Sequence, residues 1–580
     1  MLNIVIVVME MKKIGHMKMI NILLILIVIV DFVLFLFLTG KKIYQSVQNK
    51  KVISMNALDV MISFVLSDIS DEVYQVEMDE DVDSEVDTFS ENYQVIVDNK
   101  IRDLMIEPYS FEEPFLMIDP YNTNTTAINI YFEDEGVVEY TVHVEDDSIP
   151  DYTNTLYQTK VENNYGSSII GLVAGYENEV HMTLTLEDGT VKENDFVFNM
   201  KNIKNSGNVS TTLEVEEGNS VSSLEDGLYA VLGHDKNYNA DIYLYDNNGI
   251  LRSELNLEDY RADRIIFTDD DSMIYSSNED ELIKANSLGK IEQTYYLGDY
   301  EMHHDYRYDE DHERLLILAS KKESETIEDC IISLNLRDGS VKEIIDMKDL
   351  LPEMYKKAFH PEENDYGGSE LDWVHLNSID FIDEDSIVVS SRELSSVIAI
   401  DNIYDEPTIR YILSVPEMYE GTSYSDLVYQ KNGDFTASAG QHSVVYEEDD
   451  SLPEGSYYLY MYNNNYGGSA TLPDFDFTIY FPGVGNYQEG EASYYYQYLV
   501  NETDKTFTLV KKIPVDYSSI VSSTQELGNN IITSSGLSHL YAEYDQDGDL
   551  IRKFKYTSKK FAYRVFKYDF NDFWFEETTA

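Results

Sequence analysis

Histidines open three similar segments of the sequence, and these histidines are the residues whose types and spacing best suit chemistry. The segments are HHDYRYDEDHERLLILAS from His303, HLNSIDFIDEDSIVVSSR from His375 and HSVVYEEDDSLPEGSYYLYMYNN from His442. A neutral imidazole near pH 7 can act as a nucleophile, carry a proton or bind a metal. A single histidine is more often structural, but recurrence at one position of a repeat favours a shared site.

An arginine is expected opposite His375. The segment from His375 has polar and apolar residues alternating on both sides of an acidic turn near Glu384, which is typical of a β-hairpin. Positions equally far from that turn face each other with Cβ atoms ~4.5–5.5 Å apart, and His375 and Arg392 meet this condition. We therefore predict that His375 and Arg392 share one end of a strand pair.

His303 and His304 are neighbours on a predicted strand, so their side chains point to opposite faces and at most one reaches the site. The sequence does not decide between them. Zinc binding is the rival interpretation, because imidazoles from different strands can hold a metal. The chain has no HExxH or HxH spacing, and Arg392 would repel a cation. We predict no metal and no cofactor.

The elements that must position these residues form a repeat over residues 216–580. Related segments are RADRIIFTDDDSMIYSS from Arg261, STQELGNNIITSSG from Ser523 and, more faintly, EDGLYAVLGHD from Glu225. Most copies are followed by a strand pair with an Asp-Gly or Asn-Gly turn, such as IYLYDNNGILRSELNL, as two-residue hairpins require. Four strands per repeat predict a six-bladed β-propeller, with seven blades as the alternative.

Equivalent positions of successive blades converge on the axis of a propeller. The histidines and Arg392 would then meet in one cationic pocket. Tyrosine is frequent, with 47 residues; most suit strand packing, but some could form an aromatic slot for a phenyl ring. Tyr563, in KKFAYRVFKYD, falls where a last strand could close the ring, and we predict that it binds substrate.

The N-terminal part of the chain has a different organisation. Residues 105–215 contain short segments of alternating apolar residues, such as VVEYTVHVED and EVHMTLTLEDG, which predict a small β-sandwich. Residues 41–104 begin with a plausible short helix and pass into an acidic run, which we interpret as a spacer. The overall fold class is therefore all-β.

Residues 1–40 contain an apolar stretch, Met19–Leu38, that is long enough to cross a ~30 Å hydrocarbon layer. We predict a cytoplasmic tip and a transmembrane helix, making a single-pass protein of the cell membrane with its catalytic domain outside the cytoplasm. A signal peptide would need a small-residue cleavage site after the stretch, and none follows, which favours the membrane anchor. A cleaved signal peptide with secretion of the protein is the alternative.

Charge and cysteine content exclude other classes of protein. The formal net charge is −67, from 41 basic and 108 acidic residues, so a phosphate polymer would be repelled and nucleic-acid binding is excluded. Cys330 is the single cysteine, which excludes an intramolecular disulfide and a Cys-rich zinc site. An anionic substrate would need a local cationic pocket. The sequence gives no oligomeric state.

At these residues the sequence resembles the bacterial arylsulfate sulfotransferases, which need no nucleotide sulfate donor. The resemblance spans residues 105–575 and rests on MIDPYNTNTTAINIYF (117–132), IIGLVAGYENEVHMTLTLEDG (169–189), MHHDYRYDEDHERLLILAS (302–320), DWVHLNSIDFIDEDSIVVSSRELSSVIAID (372–401), GQHSV (440–444), SSTQELGNNIITSSG (522–536) and AYRV (562–565). It implies a β-sandwich followed by a six-bladed propeller. The sequence departs from some members of that family because its single cysteine cannot form an intramolecular disulfide and because its N-terminus is apolar.

The resemblance also implies the chemistry. A sulfuryl group would pass from a phenolic sulfate ester to a phenol by a ping-pong mechanism, with His442 of GQHSV as the nucleophile that is transiently sulfated. His375, Arg392 and one of His303 and His304 match the family's ligands of the sulfuryl group. We take His304 as the catalytic member of that pair and His303 as substrate-binding.

A second class of function competes with the enzyme. A membrane-anchored propeller could bind a sulfated or phenolic ligand without turning it over, because a fold does not prove a function. A protein that only binds its ligand does not need a nucleophile, whereas this sequence retains His442, His375 and Arg392, which favours the enzyme. Hydrolysis, with water as the acceptor, is a weaker third possibility.

Overall fold

The computed structural model describes residues 55–78, 86–205, 208–235, 241–361 and 368–577. β-Strands dominate these residues, and the longest helix among them has 15 residues. The predicted membrane segment, Met19–Leu38, lies outside the described residues. Within the described ranges, no helix combines the length and apolar composition that crossing a bilayer requires.

The N-terminal region is a two-layer β-domain. Its strands are β1 (Ser63–Leu66), β2 (Val73–Glu77), β3 (Phe115–Ile118), β4 (Ile128–Phe132), β5 (Gly136–His143), β6 (Tyr152–Thr155), β7 (Thr159–Val161), β8 (Asn164–Ile169), β9 (Glu177–Leu186) and β10 (Val191–Asn199). One sheet has the order β1-β2-β3-β4-β8-β7 and the other β10-β9-β5-β6. Ile130, Tyr140 and Phe198, from both sheets, share one buried core. The two sheets pack face to face, as a β-sandwich predicts.

The segment before this domain differs from the acidic spacer that we predict for 41–104. Its described part forms helices α1 (Met55–Met61) and α2 (Glu91–Met105) as well as β1 and β2. Tyr93, Val97 and Ile101 of α2 lie on one buried face that packs with residues of β3 and β4. Apolar residues at helical spacing are thus interleaved with the acidic ones, and burying that face holds the helix on the sheet.

The remaining strands form six sheets. They are β11 (Glu214–Glu217), β12 (Leu228–Leu232), β13 (Ile242–Tyr245), β14 (Leu251–Leu255), β15 (Ile266–Thr268), β16 (Ser272–Asn278), β17 (Glu281–Asn286), β18 (Ile291–Tyr296), β19 (Tyr300–Asp309), β20 (Arg314–Lys321), β21 (Cys330–Asn335), β22 (Val341–Asp346), β23 (Leu376–Asp383), β24 (Ser386–Ser391), β25 (Ser396–Asp401), β26 (Thr408–Leu413), β27 (Gln430–Lys431), β28 (His442–Glu447), β29 (Ser456–Asn463), β30 (Ser493–Asn501), β31 (Thr506–Val515), β32 (Ser523–Leu527), β33 (Asn530–Ser535), β34 (Leu540–Asp545), β35 (Leu550–Lys555) and β36 (Arg564–Tyr568). The strand orders are β14-β13-β12-β36, β15-β16-β17-β18, β19-β20-β21-β22, β23-β24-β25-β26, β27-β31-β30-β29-β28 and β11-β35-β34-β33-β32. Short helices α3 (Met347–Leu350), α4 (Pro352–Lys357) and α5 (Phe477–Tyr480) lie in the connections.

Hydrogen bonds link each of these sheets to the next and the last to the first. They join Ile265 N to Tyr568 Oη (3.2 Å), Ser276 N to Tyr306 Oη (3.2 Å), Ile379 N to Asp305 Oδ2 (3.4 Å), Val444 N to Ser378 Oγ (2.9 Å), Ser443 Oγ to Thr524 O (3.1 Å) and Ser523 Oγ to Val565 O (2.9 Å). The six sheets therefore follow one another in cyclic order, and the bonds between them involve β36, the residue before β15, β16, β19, β23, β28 and β32.

The two ends of this region interlock. The C-terminal strand β36 pairs with β12, so the strand that follows Tyr563 completes the first sheet, as predicted. The strand β11 pairs in turn with β35 of the last sheet. The faint segment EDGLYAVLGHD therefore contributes one strand, β12, whereas the other copies contribute two strands of a hairpin. The C-terminal strand β36 supplies the other strand of this pair. The predicted boundary between residues 215 and 216 falls within β11, which belongs to the second region.

Candidate active site

A cavity of about 710 Å³ is lined by residues at or just before the starts of β23, β28 and β36, among others. Five of the six predicted site residues line it: His304, His375, Arg392, His442 and Tyr563. They come from four different sheets, so the cyclic order of the sheets is what brings them together. The recurrence of histidine at one position of the repeat was the signal that identified this site.

The predicted pairing of His375 with Arg392 is confirmed. The backbone N–H of Arg392 donates to the carbonyl oxygen of His375 at 3.1 Å, just beyond the paired residues Leu376 and Ser391. Both side chains are buried, at 2% and 9% exposure, and both line the cavity. The hairpin thus holds a histidine and an arginine side by side at the cavity wall.

The structure separates His304 from His303. The His304 ring lies 4.8 Å from the His375 ring and 5.4 Å from the Tyr563 ring, between centroids. His303 does not line the cavity; its Nδ1 lies 2.8 Å from Nδ1 of His304. The role of substrate ligand that we predict for His303 therefore does not fit its position, because its ring contacts the His304 ring and is not part of the cavity wall.

Irregular backbone marks the site in three sheets. β-Bulges interrupt the pairing after Met302, after Leu376 and after His442. His304 and His375 have φ values of 65° and 48°, in the left-handed region that non-glycine residues seldom adopt. Bulges and such conformations re-aim side chains and concentrate at functional sites. Here they turn two histidines away from regular strand geometry.

His442 has a defined tautomer. Its Nδ1 lies 2.8 Å from Asn464 Oδ1 and 3.1 Å from the carbonyl oxygen of Gly440. The Asn464 amide nitrogen donates to the carbonyls of Ser518 and Val521, so the amide oxygen must face His442. Both neighbours of Nδ1 are acceptors, and Nδ1 therefore carries the proton. The lone pair of the neutral ring is on Nε2.

The electrostatic setting keeps His442 neutral. Burial, together with the positive charges of His375 and Arg392, holds the pKa of His442 well below its ordinary value of 6.5, although the hydrogen bond to Asn464 opposes this. Burial and His375 likewise hold the pKa of His304 well below 6.5. An unprotonated nitrogen is therefore available at neutral pH, as a nucleophile requires.

His375 is in the opposite charge state. Its Nδ1 lies 2.7 Å from Asp372 Oδ2 and 2.5 Å from Glu328 Oε2. Burial and Arg392 oppose the charged form, but Asp372 and Glu328 prevail and raise the pKa of His375 to about 9. With Nδ1 donating to carboxylates, the protonated ring carries a second N–H at Nε2. This arrangement supplies a proton donor in the cavity wall.

Arg392 is held by acidic groups. Its Nη2 and Nε donate to Glu393 Oε1 at 2.8 and 3.2 Å, and Asp372 Oδ2 lies 3.6 Å from Nη2. Glu393 in turn accepts from Ser469 Oγ at 2.5 Å. Charge-assisted hydrogen bonds of this kind fix the orientation of a guanidinium. The arginine is thus a preorganised cation beside the neutral His442.

Aromatic side chains form another part of the wall. Tyr466 and Tyr487 come from the long connection between β29 and β30, and Phe561 and Tyr563 precede β36. These rings give the cavity an apolar side next to its cationic side. Such a combination suits a ligand with a ring at one end and a negative charge at the other.

Several residues of the site have no signal in the repeat pattern of the sequence. Asn464, Glu328 and Asp372 act through His442 or His375, and only the three-dimensional fold shows these partners. Arg261 also lines the cavity. It opens the segment RADRIIFTDDDSMIYSS, at the position that histidine holds in three other copies, so the repeat itself contains this signal.

Two overlapping groups could hold a metal ion among the described residues. They are His303, His304 and Glu328, and Glu328, Asp372 and His375, whose potential ligand atoms lie within 4.8 Å of one another. Within this cluster, the Nδ1–H of protonated His375 already occupies both carboxylates of the second group. Binding of a cation there would have to displace that proton.

Two family models match this chain. Residues 214–570 match the family described as Arylsulfotransferase (ASST), and residues 115–201 match its companion domain, described as Arylsulfotransferase Ig-like domain. The first match includes all six sheets and every residue of the cavity wall named above. The second covers most of the β-sandwich. A search of curated proteins finds no match.

Solved structures show only distant likeness. A putative 6-phosphogluconolactonase from Bacteroides fragilis is 10% identical, with 75% of this chain and 99% of that chain covered and a TM-score of 0.33. A functionally unknown protein from Desulfotomaculum acetoxidans is 10% identical, with 59% of this chain and 99% of that chain covered and a TM-score of 0.34. An auxiliary nutrient binding protein from Bacteroides ovatus is 9% identical, with 75% of this chain and 95% of that chain covered and a TM-score of 0.28. These likenesses assign neither fold nor function.

The ASST match spans more than half of the chain and contains the complete cavity, with the Ig-like match in its expected place before it. The chain belongs to the arylsulfotransferase (ASST) family.

Proposed function

We propose that the chain is an arylsulfate sulfotransferase that moves a sulfuryl group from a phenolic sulfate ester to a phenol through a sulfated His442. One observation carries the proposal: a neutral imidazole with its lone pair on Nε2 lies in the same cavity wall as protonated His375 and Arg392. The family match supports the sulfotransferase class, with a phenolic sulfate as donor and a phenol as acceptor.

The first half-reaction uses all three groups. His442 Nε2 attacks the sulfur, an N–S bond forms, and the bond from sulfur to the phenolic oxygen breaks. His375 gives its Nε2 proton to the departing phenolate, whose pKa near 10 is close to the value of about 9 for His375. Asn464 Oδ1 stabilises the positive charge that the sulfated ring gains, through its hydrogen bond with Nδ1–H.

The second half-reaction reverses these steps. An acceptor phenol returns a proton to neutral His375, its oxygen attacks the sulfur, and the N–S bond breaks to regenerate neutral His442. Arg392 stays charged throughout and stabilises the negative sulfuryl oxygens in both transition states. Splitting one displacement into two in this way lets a single cavity serve donor and acceptor in turn.

Two further features belong to the proposal. The six sheets linked in cyclic order would be the blades of a β-propeller, whose axis passes through the cavity; the hydrogen bonds from each sheet to the next support this. Met19–Leu38 would anchor the chain in the cell membrane with the propeller outside the cytoplasm, which its apolar composition supports. Extraction by detergent but not by salt would test the anchor.

The function is tested by incubating the chain with 4-nitrophenyl sulfate, with and without added phenol. We expect nitrophenol release to rise with phenol concentration and phenyl sulfate to accumulate in equal amount. His442→Ala should abolish both, while His360→Ala, at an exposed histidine that does not line the cavity, should retain both. Release that ignores phenol would identify a hydrolase, and a fully active His442→Ala variant would contradict the nucleophile.

A further inference from the structure

Arg261 is a second arginine of the cavity wall, and it is incompletely paired. Its side chain is 3% exposed, and its Nε donates to Asp263 Oδ1 at 2.7 Å. Its Nη2 is buried and has no hydrogen-bond partner among the described residues. Buried polar groups are nearly always satisfied, and a charged donor left without an acceptor is costly. The exception calls for an acceptor supplied from the cavity.

A second unsatisfied donor accompanies it. The guanidinium carbon of Arg261 lies 3.9 Å from the ring centre of Tyr563, so the two side chains stack. The Tyr563 hydroxyl is also buried and has no hydrogen-bond partner among the described residues. Both residues line the cavity together with His304 and His442. Two donors without acceptors among the described residues thus occur on one wall of the cavity.

Arg392 differs from Arg261 in its pairing. Two of its nitrogens donate to Glu393, and Asp372 lies near, whereas Arg261 pairs with the carboxylate of Asp263 through Nε. A sulfuryl group presents three oxygens that share negative charge. His375 and Arg392, adjacent on one hairpin, approach from one sheet. Arg261 precedes β15 and approaches from another sheet.

We propose that Arg261 is a donor-binding residue whose Nη2 hydrogen-bonds a sulfuryl oxygen of the phenolic sulfate, with Tyr563 stacked on it to hold the guanidinium in place. This proposal rests on the proposed function, because it names the group that the donor presents. Arg261 then selects the charged sulfate ester over the uncharged phenol. The aromatic wall binds the ring that both compounds share.

Binding without turnover separates this role from packing. In the full-length His442→Ala chain, dissociation constants are measured by calorimetry for 4-nitrophenyl sulfate and, at a pH where it is neutral, for 4-nitrophenol. Adding Arg261→Met keeps an apolar side chain against Tyr563 but removes the charge. We expect sulfate-ester affinity to fall about tenfold or more, while 4-nitrophenol affinity changes less than about twofold.

Further variants complete the test. Arg261→Lys should restore part of the affinity for the sulfate ester, because it returns the charge without the planar fork. Arg337→Lys, at an exposed arginine with a surface partner, should leave both affinities unchanged. Equal loss of both ligands would show a packing role and overturn the proposal, as would unchanged affinity for the sulfate ester. Failure of transfer by the unmodified chain would instead count against the proposed function.

Discussion

Asn464 Oδ1 lies 2.8 Å from Nδ1 of His442, and two backbone carbonyls fix the Asn464 amide so that its oxygen faces the ring. This contact determines which nitrogen of His442 has the lone pair. The reactivity of the cavity therefore depends on an asparagine that the sequence pattern does not single out. The same contact makes the tautomer of His442 open to experiment.

Asn464→Ala should lower kcat/KM for 4-nitrophenyl sulfate by about tenfold or more, since the ring loses its fixed tautomer and the partner that stabilises its sulfated form. Asn464→Asp should raise the pKa of His442, because a carboxylate favours the imidazolium, and shift the acidic limb of the pH–rate profile upward. Asn465→Ala removes two amide-to-carbonyl bonds in the same loop and serves as the control. Activity of Asn464→Ala equal to that of the unmodified chain would refute this role.

The pH dependence of the first half-reaction should follow two histidines. His442 must be neutral, and its pKa lies well below 6.5, so no loss is expected between about pH 6.5 and 8. His375 must be protonated, so kcat/KM should fall as pH rises through about 9. Asp372→Asn removes a charge that raises the pKa of His375 and should move the alkaline limb downward. An alkaline limb that does not move would show that another group titrates there.

Salt should accelerate capture of the donor. With a net charge of −67, the chain repels an anionic ester until the ester reaches the cationic cavity wall. Raising sodium chloride from about 0.01 M to about 0.15 M shortens the screening length from about 30 to about 8 Å, so kcat/KM for 4-nitrophenyl sulfate should increase. The rate constant for a neutral phenol acceptor should change little. A decrease for the ester would contradict this view of the surface field.

The sequence was sufficient for the parts of the site that depend on local periodicity. Alternation around Glu384 placed His375 opposite Arg392, and repetition of the hairpin grouped His442 with them. The choice between His303 and His304 needed the bulge after Met302, which shifts the register in a way that alternation alone does not reveal. Arg261 lies at the same position of the repeat, but recurrence of histidine does not reveal it because the residue type differs.

Other features depend on contacts that are distant in sequence. β12 pairs with β36, more than 300 residues later in the chain, so the segment around Leu228 looked like an incomplete hairpin. Helix α2 lies within an acidic stretch, and its buried apolar residues are separated by polar ones at helical spacing, so the composition of the stretch does not indicate a packed helix. Glu328 reaches His375 from another sheet, and no local pattern connects the two.

Packing of the first of the six sheets against the last should depend on a buried ion pair. Lys567 of β36 lies 3.0 Å from Glu543 Oε2 of β34, 2.8 Å from Asn247 Oδ1 and 3.2 Å from Tyr229 Oη, and its side chain is fully buried. Lys567→Met leaves Glu543 without its cation and should destabilise the fold by about 3–5 kcal/mol. Thermal unfolding measures this, with the exposed Lys559→Met as control.

Replacing both Lys567 and Glu543 by apolar residues should recover much of the lost stability, because no buried charge is then left alone. If Lys567→Met unfolds at the same temperature as the unmodified chain, the ion pair does not hold the first and last sheets together.

The sulfated intermediate can be trapped directly. The chain is mixed with excess 4-nitrophenyl sulfate without acceptor, quenched in alkali within the first turnover, digested and analysed by mass spectrometry. We predict a burst of nitrophenol stoichiometric with the chain and one added SO₃ group on the peptide that contains His442, lost again when phenol is added before the quench. A burst without modification of His442, or an SO₃ group on another residue that phenol discharges equally fast, would contradict transfer through His442.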